Sequence, residues 1–344
     1  MYIIRQLNLY LLFLVISPFL SVQSVPADTG QPGFEVREIA GGLTHPWGHV
    51  HLPDGDILVT ERAGTLRIIR DGSLDPDPVT GLPDNIYAAG QGGMLDIILH
   101  PDFTENRLVY FSYAGRSGNG EANTEVARAR LSGDGNTLSG LEVIFVAEPK
   151  TRGAAHYGSR LLFGPEGHLF ITLGDRYRFM DQAQSKSNHL GTVVRLNADG
   201  SIPPDNPFVG VAGAKPEIWS YGHRNVQGIA LHPETGEIWI HEHGPKGGDE
   251  INILEKGANY GWPEITYGID YDGTIISEKT RMEGMKQPLT HWTPSIAPCG
   301  MAFYTGDLFP QWQGDLFVGA LVERHLRHID LEAGEITAQT RLID

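Results

Sequence analysis

One histidine, His156, lies between small residues in the stretch GAAHYGSR (153–160), directly before an apolar run. The small neighbours leave room around its ring, and a neutral imidazole can accept a proton near neutral pH. His156 is therefore a candidate general base. A purely structural histidine remains the alternative, since the chain contains 14 histidines.

Groups suited to an anionic ligand precede another apolar run, in YGHRNVQG (221–228). Arg224 offers a planar fork of N–H donors that matches carboxylates, and Asn225 and Gln227 add amide groups. This pattern predicts a site for a planar, oxygen-rich anion. A loop whose side chains only satisfy nearby backbone is the alternative. Gln91, in the glycine-rich GQGG (90–93), adds one further amide.

The segment HGPKGGDEINIL (243–254) combines backbone freedom with negative charge at the start of a strand. Glycines around Pro245 allow carbonyls to turn outward, and Asp249 and Glu250 supply charged oxygens. Oxygen ligands on flexible backbone suit Ca²⁺ better than Zn²⁺. The spacing does not match an EF-hand, so a β-bulge or a solvated acidic turn remains open.

The elements that must position these residues are repeated. Most copies share one plan: an apolar strand, a turn built on Pro-Asp or Pro-Glu with Gly, and a second apolar strand. The five copies are WGHVHLPDGDILVTE (47–61), GMLDIILHPDFTENRLVYFS (93–112), GSRLLFGPEGHLFITLG (158–174), GIALHPETGEIWIH (228–241) and GMAFYTGDLFPQWQGDLFVG (300–319). Such repetition predicts a β-propeller with one sheet per blade, in preference to a β-sandwich with recurrent hairpins. The loops between copies then carry the chemistry on one face.

Composition agrees with an all-β protein. The 344 residues include 43 glycines and 22 prolines, and 40% are hydrophobic, which is enough for a large core. A formal net charge of −16 argues against nucleic acid as a partner, because phosphate binding needs clustered Lys and Arg. Cys299 is the only cysteine, so no intramolecular disulfide can form.

The first 24 residues have the features of a secretory signal peptide. Arg5 supplies a positive charge, residues 7–22 are nearly continuously apolar, and small residues follow at plausible cleavage positions. We expect a periplasmic or secreted protein, with the propeller over residues 33–344 and no stable membrane association after cleavage. An uncleaved membrane anchor is the alternative, although the apolar stretch is short for a full span.

Several motifs together resemble the soluble quinoprotein sugar dehydrogenases of the glucose/sorbosone dehydrogenase family, and especially their aldose sugar dehydrogenase branch. The matching motifs run in family order from about residue 47 to the end of the chain. They are GQGGMLDIILHPDF, HYGSRLLFGPEGHLFITLGD, GHRNVQGIALHP, HGPKGGDEIN, NYGWP and SIAPCGMAFY. The resemblance implies a six-bladed propeller that carries pyrroloquinoline quinone (PQQ) and Ca²⁺. Relatives continue beyond the point matched by Asp344, which implies an incomplete last blade.

The resemblance also implies roles for individual residues. His156 would be the catalytic base, and the quinone would contact Gln91, Arg224 and Asn225. The backbone carbonyls of Gly244 and Pro245 would bind the active-site Ca²⁺, whereas Glu250 and the Tyr260 region would hold a second, structural Ca²⁺.

The expected reaction is oxidation of an aldose at its anomeric carbon to a lactone, with an electron acceptor that the sequence does not identify. The loop DRYRFMD (175–181) is expected to influence which sugar is used. Two other functions remain open, a calcium-dependent lactonase and a non-catalytic sugar-binding propeller, because a fold alone does not determine function.

Overall fold

Each of the five repeated segments forms the first two strands of a separate four-stranded antiparallel sheet. The computed structural model describes residues 33–343, so the predicted signal peptide lies outside the described residues. Residues 39–343 belong to one compact unit, and residues 33–38 belong to a separate unit without helix or strand. Among the described residues, no helix is long and apolar enough to span a membrane.

The strands of each sheet are consecutive in the chain. The first sheet contains β1 (Pro46–His51), β2 (Ile57–Glu61), β3 (Thr65–Arg70) and β4 (Ser73–Leu74). The second contains β5 (Met94–Leu99), β6 (Leu108–Arg116), β7 (Ala122–Leu131) and β8 (Leu138–Val146). The third contains β9 (Leu161–Phe163), β10 (Leu169–Thr172), β11 (Thr192–Leu196) and β12 (Ile218–Tyr221).

The fourth sheet contains β13 (Val226–Leu231), β14 (Ile238–Glu242), β15 (Asp249–Ile253) and β16 (Thr290–Trp292). The fifth contains β17 (Pro298–Phe303), β18 (Leu316–Ala320), β19 (His325–Glu332) and β20 (Glu335–Ile343). The helices are short: α1 (Phe103–Asn106) and 3₁₀ helices at Met180–Gln184, Pro310–Trp312 and Val322–Arg324.

The cores lie between successive sheets. Leu58 and Phe111 belong to a cluster between the first two sheets, and Trp239 and Leu316 belong to one between the last two. Similar clusters join the second sheet to the third and the third to the fourth. Strands β2, β10, β11 and β14 are buried at every position, because their sheets are covered on both faces. This face-to-face stacking confirms the predicted β-propeller.

The expectation of six blades is wrong for the described residues, which form five sheets. Each sheet takes its first two strands from one repeated segment, and the sequence contains five such segments. The sixth blade was implied only by the resemblance. Its absence from residues 33–343 agrees in part with the expectation of an incomplete last blade.

Arg160, immediately before β9, connects the first strands of the sheets. Its guanidinium lies 4.1 Å from the centre of the Trp47 ring in β1 and donates to Asp96 of β5 at 3.3 Å. Its Nε donates to the backbone carbonyl of Gln227 in β13 at 2.9 Å. One side chain therefore links four sheets around the polar centre of the propeller.

Replacing Arg160 with Met should lower the free energy of unfolding by about 2–4 kcal/mol, because the Asp96 carboxylate would lose its cation in a largely buried setting. Thermal and urea denaturation would measure the change. The control is Lys286→Met, which breaks the exposed ion pair with Glu255 and should cost less than about 1 kcal/mol. Equal losses in the two variants would contradict the linking role.

Candidate active site

His156 is held in the loop between β8 and β9 by contacts at its backbone and its ring. It is buried and has a left-handed backbone, with φ of 51°. Its backbone N–H donates to Oε1 of Gln91 at 2.7 Å, and its ring Nδ1 lies 2.7 Å from Oδ1 of Asp175. An ionised carboxylate only accepts hydrogen bonds, so Nδ1 carries a proton and Nε2 presents a lone pair. Nε2 is therefore the basic atom of this site.

Asp175 is fixed in turn by its own neighbours. Oδ2 accepts from the indole N–H of Trp262 at 2.8 Å, and Oδ1 also accepts from the backbone N–H of Tyr177 at 2.7 Å. The residue is 1% exposed and follows β10. These contacts fix the carboxylate against His156, so Asp175 is a positioning residue for the imidazole.

The electrostatic setting keeps the imidazole neutral. Burial lowers the pKa of His156, the hydrogen bond to Asp175 opposes this, and the positive charge of Arg224 lowers the pKa further. A histidine ordinarily titrates near pH 6.5. His156 is thus ready to accept a proton at neutral pH.

Arg224 is anchored to the chain that follows β14. Its guanidinium Nη1 donates to the carbonyl oxygens of Gly244 at 2.7 Å and His243 at 3.0 Å, and its backbone N–H donates to Glu242 at 2.6 Å. The guanidinium also lies 5.4 Å from the centre of the Trp262 ring. Trp262 therefore connects the two residues: it contacts Arg224 directly, and it donates to Asp175, which is the partner of His156.

Gln91 and Asn225 line one cavity of about 730 Å³ at the centre of the propeller, together with Gln227 and Arg160. Oδ1 of Asn225 accepts from the backbone N–H of Gly158 at 3.1 Å and from Gln227 at 3.2 Å. Asn225 is 1% exposed, and this pairing orients its amide. The cavity has the size of a typical small-molecule site.

The glycines of residues 243–254 form a tight turn. A Cβ on Gly244 would lie 2.2 Å from the carbonyl oxygen of Gly247, so only glycine fits. The Asp249 carboxylate closes this turn: it accepts from the backbone N–H groups of Gly244, Ile296 and Ala297 and from the Ser295 hydroxyl. These donors engage both of its oxygens, so Asp249 has a structural role in closing the turn.

A second cavity, of about 20 Å³, brings together Arg224, Gly244, Glu250 and Tyr260 with Glu242. Glu242 is engaged by the ring of His223 at 2.8 Å and by the backbone of Arg224. Burial, and then the negative charge of Glu242, raise the pKa of Glu250 to about 8. Two carboxyl groups thus face a space the size of one water molecule or ion.

Tyr260 and Pro245, two of the predicted metal ligands, differ in their relation to the small cavity: Tyr260 lines it and Pro245 does not. The Tyr260 hydroxyl donates to the carbonyl of Ile253 at 2.6 Å and accepts from the backbone N–H of Glu255 at 2.8 Å, so both contacts engage it within the protein. Pro245 is buried beside Gly244 and does not line either cavity.

Comparison with known proteins places this site in a family. The sequence profile of glucose/sorbosone dehydrogenases matches residues 43–344. The chain belongs to the glucose/sorbosone dehydrogenase family. It is 43% identical over 311 residues to the aldose sugar dehydrogenase YliI of Escherichia coli (strain K12), an alignment that covers 90% of this chain and 83% of that protein.

Solved structures of glucose/sorbosone dehydrogenase type share the fold. A crystal structure described as glucose dehydrogenase has 46% sequence identity and a TM-score of 0.86, with 89% of each chain covered. The PQQ-bound form of an aldose sugar dehydrogenase from Streptomyces coelicolor has 28% identity and a TM-score of 0.74, and the match covers 89% of this chain and 83% of that one.

Sequence reasoning did not identify the residues that orient His156 and Arg224. Asp175 was placed only in a loop expected to influence the choice of sugar, and Trp262 and Glu242 were given no role. The available signal was the end of the third repeat, where LGD places an acid directly after a buried strand. Nothing local indicated that Trp262, 87 positions away, donates to that acid.

We predict that His156 titrates below pH 6.5, and that Asp175→Asn lowers its pKa further by removing the anion that favours the charged ring. Because the folded pKa lies below the unfolded value, stability from this group is present above pH 6.5 and is lost as pH falls. NMR titration of the imidazole would measure both values, with exposed His51 as a reference signal. A His156 pKa above 6.5 would contradict the stated role of burial.

Proposed function

We propose that the protein is a PQQ- and calcium-dependent aldose dehydrogenase that oxidises the anomeric carbon of a sugar to a lactone. The observation that supports this most directly is His156, a buried neutral base held by Asp175. Its backbone N–H is bonded to Gln91, and Gln91 lines the central cavity, whereas His156 itself lies behind that lining. The relatives of this chain include proteins named for glucose and aldose sugar oxidation, and one related structure is described as PQQ-bound.

The central cavity suits a planar anion such as PQQ. Of the described residues that line it, Arg62, Arg160 and Asp96 carry a charge at neutral pH, and Asp96 is paired with Arg160. Because Asp96 offsets Arg160, Arg62 gives the cavity wall a net positive charge, although the whole chain is strongly acidic. Gln91 and Asn225 add amide groups for quinone and carboxylate oxygens. Arg224 would hold the anion from the neighbouring small cavity.

The small cavity suits one Ca²⁺ by its donor set. The resemblance implies an active-site Ca²⁺ at Gly244 and a second Ca²⁺ at Glu250 and Tyr260, and all three residues line this one cavity. Glu250 and Glu242 supply carboxylate oxygens, and Gly244 and Tyr260 supply backbone carbonyls. Burial, and then the negative charge of Glu242, raise the pKa of Glu250 to about 8, and a divalent cation would offset that repulsion. The Gly244 carbonyl accepts one hydrogen bond from Arg224 and keeps a second lone pair. The proposed share of Pro245 in the active-site Ca²⁺ rests on the family resemblance alone.

In the proposed reaction, Nε2 of His156 removes the proton from the anomeric hydroxyl of the sugar. Asp175 stabilises the imidazolium that results and keeps its ring aligned through Nδ1. When bound, Ca²⁺ supplies a Lewis acid and PQQ supplies the two-electron acceptor that receives hydride from the sugar carbon. Loss of the proton and the hydride converts the hemiacetal to a lactone.

The proposed partners follow from this reaction: an aldose substrate and an electron acceptor whose identity is open. We further propose a periplasmic or secreted location and no stable membrane association after cleavage, on the basis of residues 1–24.

The direct test is aldose-dependent reduction of an artificial acceptor by protein reconstituted with PQQ and Ca²⁺. His156→Ala should lower kcat by at least about 100-fold, because the proton acceptor is removed. PQQ binding, followed by its absorbance spectrum, should persist in the variant, and His51→Ala is a matched exposed control.

The other outcomes of this test separate the alternatives. Sugar binding without acceptor reduction in the loaded wild type would favour a non-catalytic sugar-binding propeller. Calcium-dependent lactone hydrolysis without any need for PQQ would favour a lactonase.

Calcium should stabilise the protein through Glu250. We expect added Ca²⁺ to raise the melting temperature of the wild type, because it binds only the folded site, and EDTA to reverse the effect. Glu250→Gln should remove most of this stabilisation. Glu264→Gln, at an exposed acid nearby in the chain, should leave it unchanged. Equal stabilisation of all three proteins would place the calcium elsewhere.

A further inference from the structure

Two consecutive residues next to His156 have an unfavourable backbone conformation. Arg176 and Tyr177 are both left-handed, with φ of 57° and 66°, and neither is glycine. Such residues are uncommon, and a run of two persists only where surrounding contacts hold it. The turn lies directly after Asp175, the residue that positions the proposed base.

Arg176 provides those contacts on the inner side of the turn. Its guanidinium donates to the carbonyl of Gly153 at 2.7 Å and to that of Ala155, and lies 3.6 Å from the centre of the Tyr157 ring. The residue is 2% exposed. The inner half of the turn therefore supports the loop that carries His156.

Tyr177 has the opposite environment. Its backbone N–H is bonded to Asp175, and its ring stands edge-to-face against the His156 imidazole, with centroids 5.2 Å apart and planes at 88°. The residue is nevertheless 48% exposed. No residue between 33 and 343 forms a hydrogen bond with its hydroxyl. The strained turn thus presents an aromatic surface to solvent beside the proposed base.

We infer that Tyr177 is a specificity-determining residue that forms one wall of the aldose subsite. This inference rests on the proposed dehydrogenase function. A pyranose ring carries its axial hydrogens on two faces, and these apolar faces pack against aromatic rings while the equatorial hydroxyls reach outward to water or polar groups. A sugar packed on Tyr177 would lie beside the imidazole of His156, because the centroids of the two rings are 5.2 Å apart.

A subsite walled by the Tyr177 ring discriminates between sugars by the face that each sugar ring presents to it. A hexopyranose with all of its hydroxyls equatorial, such as β-D-glucose, offers an uninterrupted apolar face. An epimer with an axial hydroxyl on the packed face holds a polar group against the ring and packs less well. D-Galactose (axial at C4) and D-allose (axial at C3) carry this hydroxyl on opposite faces, so one of the two packs poorly whichever face contacts Tyr177. Tyr177 therefore favours glucose over that epimer.

The experiment compares Tyr177→Gly with Tyr177→Phe. Glycine accepts a φ of 66° without strain, so its variant removes the ring and keeps the turn, whereas phenylalanine keeps the ring and removes only the hydroxyl. For Tyr177→Gly we expect KM for D-glucose to rise about three- to tenfold with little change in kcat, and the preference for D-glucose over one of D-galactose and D-allose to fall. Tyr177→Phe should stay within about twofold of wild type.

The chain offers a control for relief of backbone strain. Ala333, in the exposed turn between β19 and β20, has φ of 52°, and Ala333→Gly relaxes a left-handed residue far from the site in sequence and sheet position. It should leave KM and sugar preference unchanged. Saturation-transfer NMR with D-glucose and PQQ-free protein adds a measurement independent of turnover: the signal in the wild type should weaken in Tyr177→Gly.

The outcomes distinguish this inference from the proposed function. A wild type that oxidises aldoses, with a Tyr177→Gly variant of unchanged KM and preference, would overturn the role of Tyr177 alone. A wild type that binds D-glucose by NMR but oxidises no aldose would contradict the dehydrogenase, and a Tyr177→Gly variant with an undiminished NMR signal would then overturn the wall as well.

Discussion

The architecture depends on pairing the polar groups that meet at the centre of the propeller. The first strands of the sheets face one another there, and an unpaired charge in that position would be costly. Arg160 resolves this by contacting Trp47, Asp96 and the carbonyl of Gln227, which come from three other sheets. The apolar clusters hold each sheet to the next, whereas this cation fixes how their inner strands meet.

Pairing with hydrogen-bond donors also explains how buried carboxylates are accommodated in this protein. Asp175 and Asp249 each accept several hydrogen bonds from well-placed donors, and each fixes a loop. Asp175 fixes the loop of His156, and Asp249 fixes the glycine turn beside Arg224. Glu250 differs, because Asn252 is the one side-chain donor to its carboxylate within the described part of the chain, and burial and then the negative charge of Glu242 raise its pKa. Asp175 and Asp249, which have several donors each, fix loops, and the proposed Ca²⁺ would bind at Glu250, which has fewer.

The proposed reactivity of the candidate site depends on burial and orientation together. Burial keeps His156 neutral, and the hydrogen bond to Asp175 leaves Nε2 as its basic atom. The neighbouring cavity wall carries the positive charge of Arg62 within a chain of net charge −16, so an anion is favoured locally against the overall field. A few buried and paired groups therefore produce a neutral histidine and a positively charged cavity wall, which the acidic composition of the chain does not suggest.

The local sequence pattern predicts the repeated strand pairs and the all-β propeller. The chemistry of the side chains indicates His156, Arg224 and the glycine turn as parts of a candidate site. The five repeated segments also match the five sheets, and the expected sixth blade came from the family resemblance. Only the tertiary structure separated Asp249 from Glu250, two adjacent acids with opposite environments. It also joined His156 to Asp175 and Trp262, since hydrogen bonds between residues distant in the chain depend on how the sheets stack, and no local pattern encodes that.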